Sequence, residues 1–177
     1  MRAETFLSVL LCVTLSTACG TTGAYRAGFW PGVAAGETQR LTQALEISSA
    51  EAQATLIGVV ELHADHTALA VLNPQGLVLL SVRETPAGSE VDRHPDVPAF
   101  VDADAIMNDV RLVNWPSALL RNALAGHAEL KEDDHQRILS IRSTTIATAR
   151  YEPDRENWQR AHLINHQRGY EIRVKVI

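Results

Sequence analysis

Two groups of histidines are the first side chains whose spacing could support chemistry. His63 and His66 flank Asp65, and His162 and His166 lie four residues apart. Imidazole and carboxylate together suit zinc, copper or nickel. Histidines at i and i+4 share a face only on a helix, however, and residues 160–165, RAHLIN, read as a strand. His63-Ala64-Asp65-His66 reads as a turn between two strands, where polar residues belong. The sequence therefore predicts no metal site. It also offers no G-x-S-x-G elbow to set a serine nucleophile, and no Gly-rich loop leading from a strand into a helix to hold a phosphate. Glu132-Asp133-Asp134 reads as a solvated turn. Trp115 and Trp158 read as packing residues, and Arg142 and Arg150 as outward-facing strand positions. No catalytic residue and no cofactor is predicted, and the protein is expected not to be an enzyme.

The reactive group with a clear context is the thiol of Cys19. The chain opens MRAETFLSVLLCVTLSTACG: Arg2, an apolar run over 6–15, then Ser16-Thr17-Ala18 before the cysteine. A short apolar stretch ending in small residues is a secretion signal, too short to span a bilayer. A cysteine directly after the small residues marks a bacterial lipoprotein. Its thiol receives diacylglycerol, the chain is cut before it, and the new amino terminus is acylated. Several acyl chains anchor stably, because each buried methylene contributes about 0.8 kcal/mol and one chain alone is marginal. Ser16 stands where Leu, Val or Ile is usual, and Glu4 weakens the positive start. The alternative is an ordinary signal cut near Ala18. The sequence thus divides into a signal at 1–18, a lipidated start and Gly/Ala/Thr-rich tether at 19–37, and one domain at 38–177. Phe29-Trp30-Pro31 in the tether suggests packing on the domain, or contact with a membrane interface.

Loss of the signal removes Arg2 and Glu4, which cancel, so the net charge stays at −5. With no basic stripe, nucleic acid is not expected as a partner, and the domain is expected to be a monomer. Cys12 falls in the signal and Cys19 is the lipidation site, so no disulfide pair remains.

The domain begins with β patterns at 41–48, 54–62, 67–72 and 77–83, with an Asn73-Pro74-Gln75-Gly76 turn between the last two. Residues 84–98 are polar, hold three prolines and read as a surface loop. The period then changes. Asp102 or Asp104 can cap a helix running to about residue 112, and a Trp115-Pro116 step leads into a second helix at 117–124. Strand patterns return at 137–142, 144–151, 160–165 and 170–177. In the last, Tyr170, Ile172, Val174 and Val176 should face inward, with Glu171, Arg173 and Lys175 outward. Four strands, two short helices and about four strands make a mainly β, α+β domain.

The stretch VDADAIMNDVRLVNWPSALLRNALAG at 101–126 resembles the centre of the outer-membrane lipoprotein receptor LolB and its relatives. The preceding meander and the terminal Asn165-x-x-x-Gly169-Tyr170 hairpin fit as well. Over residues 40–177 the chain is most similar to the bacterial lipoprotein family labelled domain of unknown function 3261. Its members are often encoded within aryl-polyene biosynthesis clusters. The resemblance implies an incomplete antiparallel β-barrel, LolA/LolB-like, with the helices as a lid over an apolar cavity. In LolA and LolB that cavity takes the acyl chains of lipoproteins in transit. Ile57, Val59, Leu79, Ile106, Met107, Val110, Leu119, Leu120 and Leu124 are expected to line the equivalent cavity here. Two features depart from the pattern. The turn at 73–76 is tight where LolB carries an exposed hydrophobic loop, and no arginine matches the one that helps hold LolA's lid closed.

The first functional reading is a lipid-anchored protein on the periplasmic face of a Gram-negative outer membrane. It would bind or transfer an acyl-chain-bearing ligand (a lipoprotein, a lipid or an aryl-polyene-type lipid) and could receive it from a LolA-like periplasmic carrier. The second is a structural or interaction lipoprotein whose interior its own side chains fill. The third is an accessory enzyme of lipid or polyene biosynthesis. An apolar cavity of a few hundred cubic ångströms distinguishes the first from the second.

Overall fold

The computed structural model describes residues 36–97 and 102–177. The signal, Cys19, the Phe29-Trp30-Pro31 cluster and nearly all of the tether lie outside the described residues. The alternation read from the sequence builds one ten-stranded sheet, ordered β5-β4-β3-β2-β1-β10-β9-β8-β7-β6. The strands are β1 (Thr38–Ser49), β2 (Gln53–His63), β3 (Thr67–Leu72), β4 (Val78–Thr85), β5 (Gly88–Arg93), β6 (Glu129–Glu132), β7 (Gln136–Ile141), β8 (Thr144–Glu152), β9 (Arg160–Asn165) and β10 (Tyr170–Val176). Every neighbouring pair is antiparallel. The first and last strands meet at the centre, from Gln43 opposite Val176 to Ser49 opposite Tyr170.

Two strands stand where loop or turn was expected. β5 lies inside the 84–98 segment; all six of its residues are exposed and only Val91 is apolar, so it carries no alternation. Pairing with β4 through a tight Thr85–Gly88 turn makes it a strand, and its charged residues suit a sheet edge. β6 is the opposite edge. It ends at Glu132, whose side chain is only 5% exposed and is no part of a solvated turn. Asp133 and Asp134 are the exposed turn residues, Asp133 accepting the backbone N–H groups of His135 and Gln136. Arg142 sits in the β7–β8 turn rather than within a strand, at a φ of 49°.

Helix α1 spans Ala103–Asn114 and α2 spans Ser117–Leu124. The Asp102 side chain caps α1 by accepting from the N–H groups of Asp104 and Ala105, at 2.9 and 3.2 Å. Pro116 separates the helices, and Gly126 supplies the positive φ that ends the segment.

The ties of α1 show how strongly the sheet curls. Arg111 bonds Glu84 on β4, and the carbonyl of the next residue, Leu112, accepts from Arg137 on β7. β4 and β7 are seven strand-to-strand steps apart. In a flat sheet that would be about 34 Å. Two consecutive helical residues reach both only because the sheet wraps around the helix as an unclosed barrel. The core fills the inside of this curve, with Val60, Leu62, Leu80, Met107, Leu112, Trp115 and Leu163 all nearly inaccessible.

Candidate ligand cavity beneath helix α1

The inner face of the sheet is apolar by alternation. Leu56, Gly58, Val60 and Leu62 of β2 point inward, as do Leu69 and Val71 of β3 and Ile172 and Val174 of β10. Between this face and α1 lies a cavity of about 40 Å³. Its walls are Leu45, Ile47, Gly58, Val60, Leu69, Val71, Leu163, Ile172 and Val174 from the sheet, with Ile106, Val110 and Val113 from the helix. Gln43, Asp109 and Asn114 are the polar groups in that wall. This volume admits a water or two and falls far short of an acyl chain.

The expected lining residues distribute unevenly. Ile106 and Val110 lie in the cavity wall. Met107, Leu120 and Leu124 are buried in the core beside it, and Leu119 is half-buried on α2. Leu79 is also buried, at the point where the β3–β4 register shifts. Ile57 and Val59 point to the outer face, and their neighbours Gly58 and Val60 take the inner positions. β2 is apolar on both faces, so its alternation gives no parity. Gly58 is the signal that could have set it. A Cβ there would meet Leu45 Cδ1 at 3.0 Å, and a glycine within a strand marks such a close approach.

Polar ties from six strands hold α1 over this apolar face. Gln43 on β1 donates to Asn114 at 2.9 Å. Glu84 on β4 forms a buried ion pair with Arg111, whose guanidinium also donates to Asn108 and lies 5.5 Å from the Trp115 ring. Arg137 on β7 donates to the Leu112 carbonyl at 2.8 Å, and Tyr151 on β8 donates to the same oxygen at 3.0 Å. Asn165 on β9 and Tyr170 on β10 both donate to Asp109. No motif carried these partners in the sequence. Two were accessible to reasoning: Glu84 shares its parity with Leu80 and Val82, and an inward Tyr170 needs a partner for its hydroxyl.

Burial dominates the electrostatics. It raises the Asp109 carboxyl to about 7, against the bonds from Tyr170 and Asn165 and the positive field of Arg168, which act to lower it. Burial and the adjacent Asp109 charge push the Tyr170 phenol far up, so it stays protonated and donates. Burial likewise lifts Tyr151 to about 12. At the start of α2, burial alone would raise Glu132. Bonds from Ser117 and Arg121 and the charges of Arg137 and Arg155 outweigh it and hold the carboxyl below its usual range. That cluster fixes the junction of the two helices to β6 and β7.

His162 lies on β9, the strand read from the sequence, and it and His166 have separate partners. His162 bonds Glu171 at 2.9 Å, and His166 bonds Thr148 at 3.1 Å.

The fold and cavity define an open antiparallel barrel lidded by a short helical segment. The chain belongs to the family described as protein of unknown function DUF3261, whose model matches residues 40–177. No curated protein matches it. Among solved structures it is similar to an outer membrane lipoprotein-sorting protein domain from Vibrio parahaemolyticus, at 10% identity and a TM-score of 0.34, over 78% of this chain and 83% of that one. Among the described residues, no helix is long and apolar enough to cross a membrane.

Proposed function

We propose that the protein is a non-enzymatic carrier or binding protein for an acyl-chain-bearing ligand, anchored through Cys19 to the periplasmic face of the outer membrane. The solved structure above is named for outer membrane lipoprotein sorting, and cargo of that kind, a lipid or an aryl-polyene-type lipid would each present the same acyl chemistry. The observation that carries the reading is the way α1 is held. Its roof position rests on hydrogen bonds from six strands above a continuous apolar face. A neutral hydrogen bond exchanged for water changes stability by only about 0.5–1.5 kcal/mol net, and one to a charged group by about 1.5–3 kcal/mol. Such ties can be released, and the face they cover is then free for a chain. At about 40 Å³ the cavity as it stands is that of a self-filled interior, and the carrier reading requires α1 to lift for a ligand to enter.

The test is an environment-sensitive fatty-acid probe added to the purified protein, with native mass spectrometry of material from its own host. Saturable probe binding and a co-purified lipid support the carrier reading. A protein that takes up no probe and carries no lipid is instead a structural lipoprotein with a self-filled interior.

A further inference from the structure

The β2–β3 hairpin, remote from the cavity in its chemistry, brings together the side chains that the sequence left as turn residues. The N–H of His63 bonds the carbonyl of His66 at 2.9 Å and closes a tight turn around Ala64 and Asp65. Their imidazoles stack with centroids 4.1 Å apart and planes 10° from parallel. One ligand atom from each of His63, Asp65 and His66 lies within 4.8 Å of the others.

Polar neighbours touch both rings. Asp65 Oδ1 lies 2.8 Å from His66 Nδ1, and Thr38 Oγ1 lies 3.3 Å from His63 Nδ1. The Asp65 carboxylate accepts a hydrogen bond from Nδ1–H of His66, so that ring keeps a lone pair on Nε2; His63 offers a lone pair from one or the other ring nitrogen according to its tautomer. Carboxylate or hydroxyl support of one ring nitrogen is how ligand histidines are oriented in metal proteins. A further carboxylate stands at the rim: Glu61 Oε2 is 3.9 Å from His63 Nε2, and Arg40 holds its other oxygen at 3.4 Å. The two histidine side chains are only 27% and 18% exposed, so they are not freely solvated.

We propose that this hairpin is a binding site for a divalent transition cation of the zinc class, with His63 and His66 as imidazole ligands, Glu61 completing the set with carboxylate oxygen and Asp65 orienting His66 through Nδ1. Two imidazoles with carboxylate favour zinc, copper or nickel over calcium or magnesium. Ligand atoms on a tetrahedral zinc sit about 3.3 Å apart, given bonds of about 2.0 Å. Side-chain rotation on the fixed turn closes the present gap.

The experiment is a zinc titration of the full-length protein in detergent, against a chromogenic chelator. The expected result is one zinc per chain, with affinity lost by more than about tenfold in the His63→Ala/His66→Ala double variant and kept in His162→Ala. X-ray absorption on the zinc-loaded wild type should report two imidazoles and oxygen at about 2.0–2.2 Å, which decides the matter if the double variant does not fold. No stoichiometric uptake, unchanged affinity in the double variant, or a spectrum without two imidazoles overturns the proposal.

Discussion

The phenol of Tyr170 on the last strand donates its proton to the carboxylate of Asp109 on α1, so the end of the chain grips the middle of the lid. Asn165 joins them, donating to Asp109 at 3.3 Å and to the Tyr170 oxygen at 3.2 Å. This cluster makes the attachment of α1 to the sheet sensitive to protonation. The folded Asp109 has a pKa of about 7, against 3.8 for the ordinary side chain. A raised carboxyl contributes stability that is fully present below the lower value and is lost as pH rises through the higher one. The thermal midpoint of the wild type, measured against Asp109→Asn at each pH, should therefore fall between about pH 4 and pH 7 and level off above. A constant difference between the two proteins across that range would show that Asp109 titrates normally.

The Glu84–Arg111 pair should behave as a buried ion pair does. Glu84→Ala leaves a guanidinium without its partner and should cost about 3–5 kcal/mol in urea unfolding. Replacing both residues, as Glu84→Leu with Arg111→Met, should recover most of that loss. If the double variant is no more stable than Glu84→Ala, the pair is not an isolated unit.

Register on β2 gives a test on neighbouring residues. Gly58→Leu projects into the cavity wall and displaces Leu45, so fatty-acid probe binding should fall by more than about tenfold while circular dichroism is retained. Val59→Thr, on the outer face, should leave binding within about twofold. Equal loss in both would place the ligand elsewhere.

Along β10, Val174 is 5% exposed, and Val174→Asp buries a lone carboxylate at a cost of more than about 4 kcal/mol. Lys175 is exposed and stands directly opposite Arg160. Like charges so placed are unfavourable, so Lys175→Glu should be neutral or stabilise by about 0.2–1 kcal/mol. Chemical denaturation of the two variants separates these outcomes.

Cys19→Ala should move the protein from the membrane to the soluble periplasmic fraction. Retention of the variant in the membrane would transfer the anchoring role to another part of the chain, with Phe29 and Trp30 the first candidates.

The legible parts of this fold are those where one face is wet. Alternation marked β10 and both helices because their outer residues are polar, and Pro116 marked the break between them. β2 defeated the same reasoning because Ile57 and Val59 make its outer face apolar too. β5 defeated it from the other side, since an edge strand with both faces exposed needs no pattern. The lid ties were hidden for another reason. Gln43 finds Asn114 across 71 residues, and Glu84 finds Arg111 across 27. The parity of Glu84 marks it as inward, but no sequence signal names its partner or that of Gln43, and only the curl of the sheet makes them neighbours.

The meeting of β1 and β10 at the centre of the sheet has a consequence for how the protein is made. The first five strands can pair as successive hairpins while synthesis continues, yet the inner edge of β1 waits for the last seven-residue strand. Even Ile177 takes part, its N–H bonding the Thr42 carbonyl at 2.9 Å. Without β10, β1–β5 and β6–β9 would be two half-sheets joined only through the helices. Pairing of β1 with β10 is therefore the step that turns two half-sheets into one curved wall.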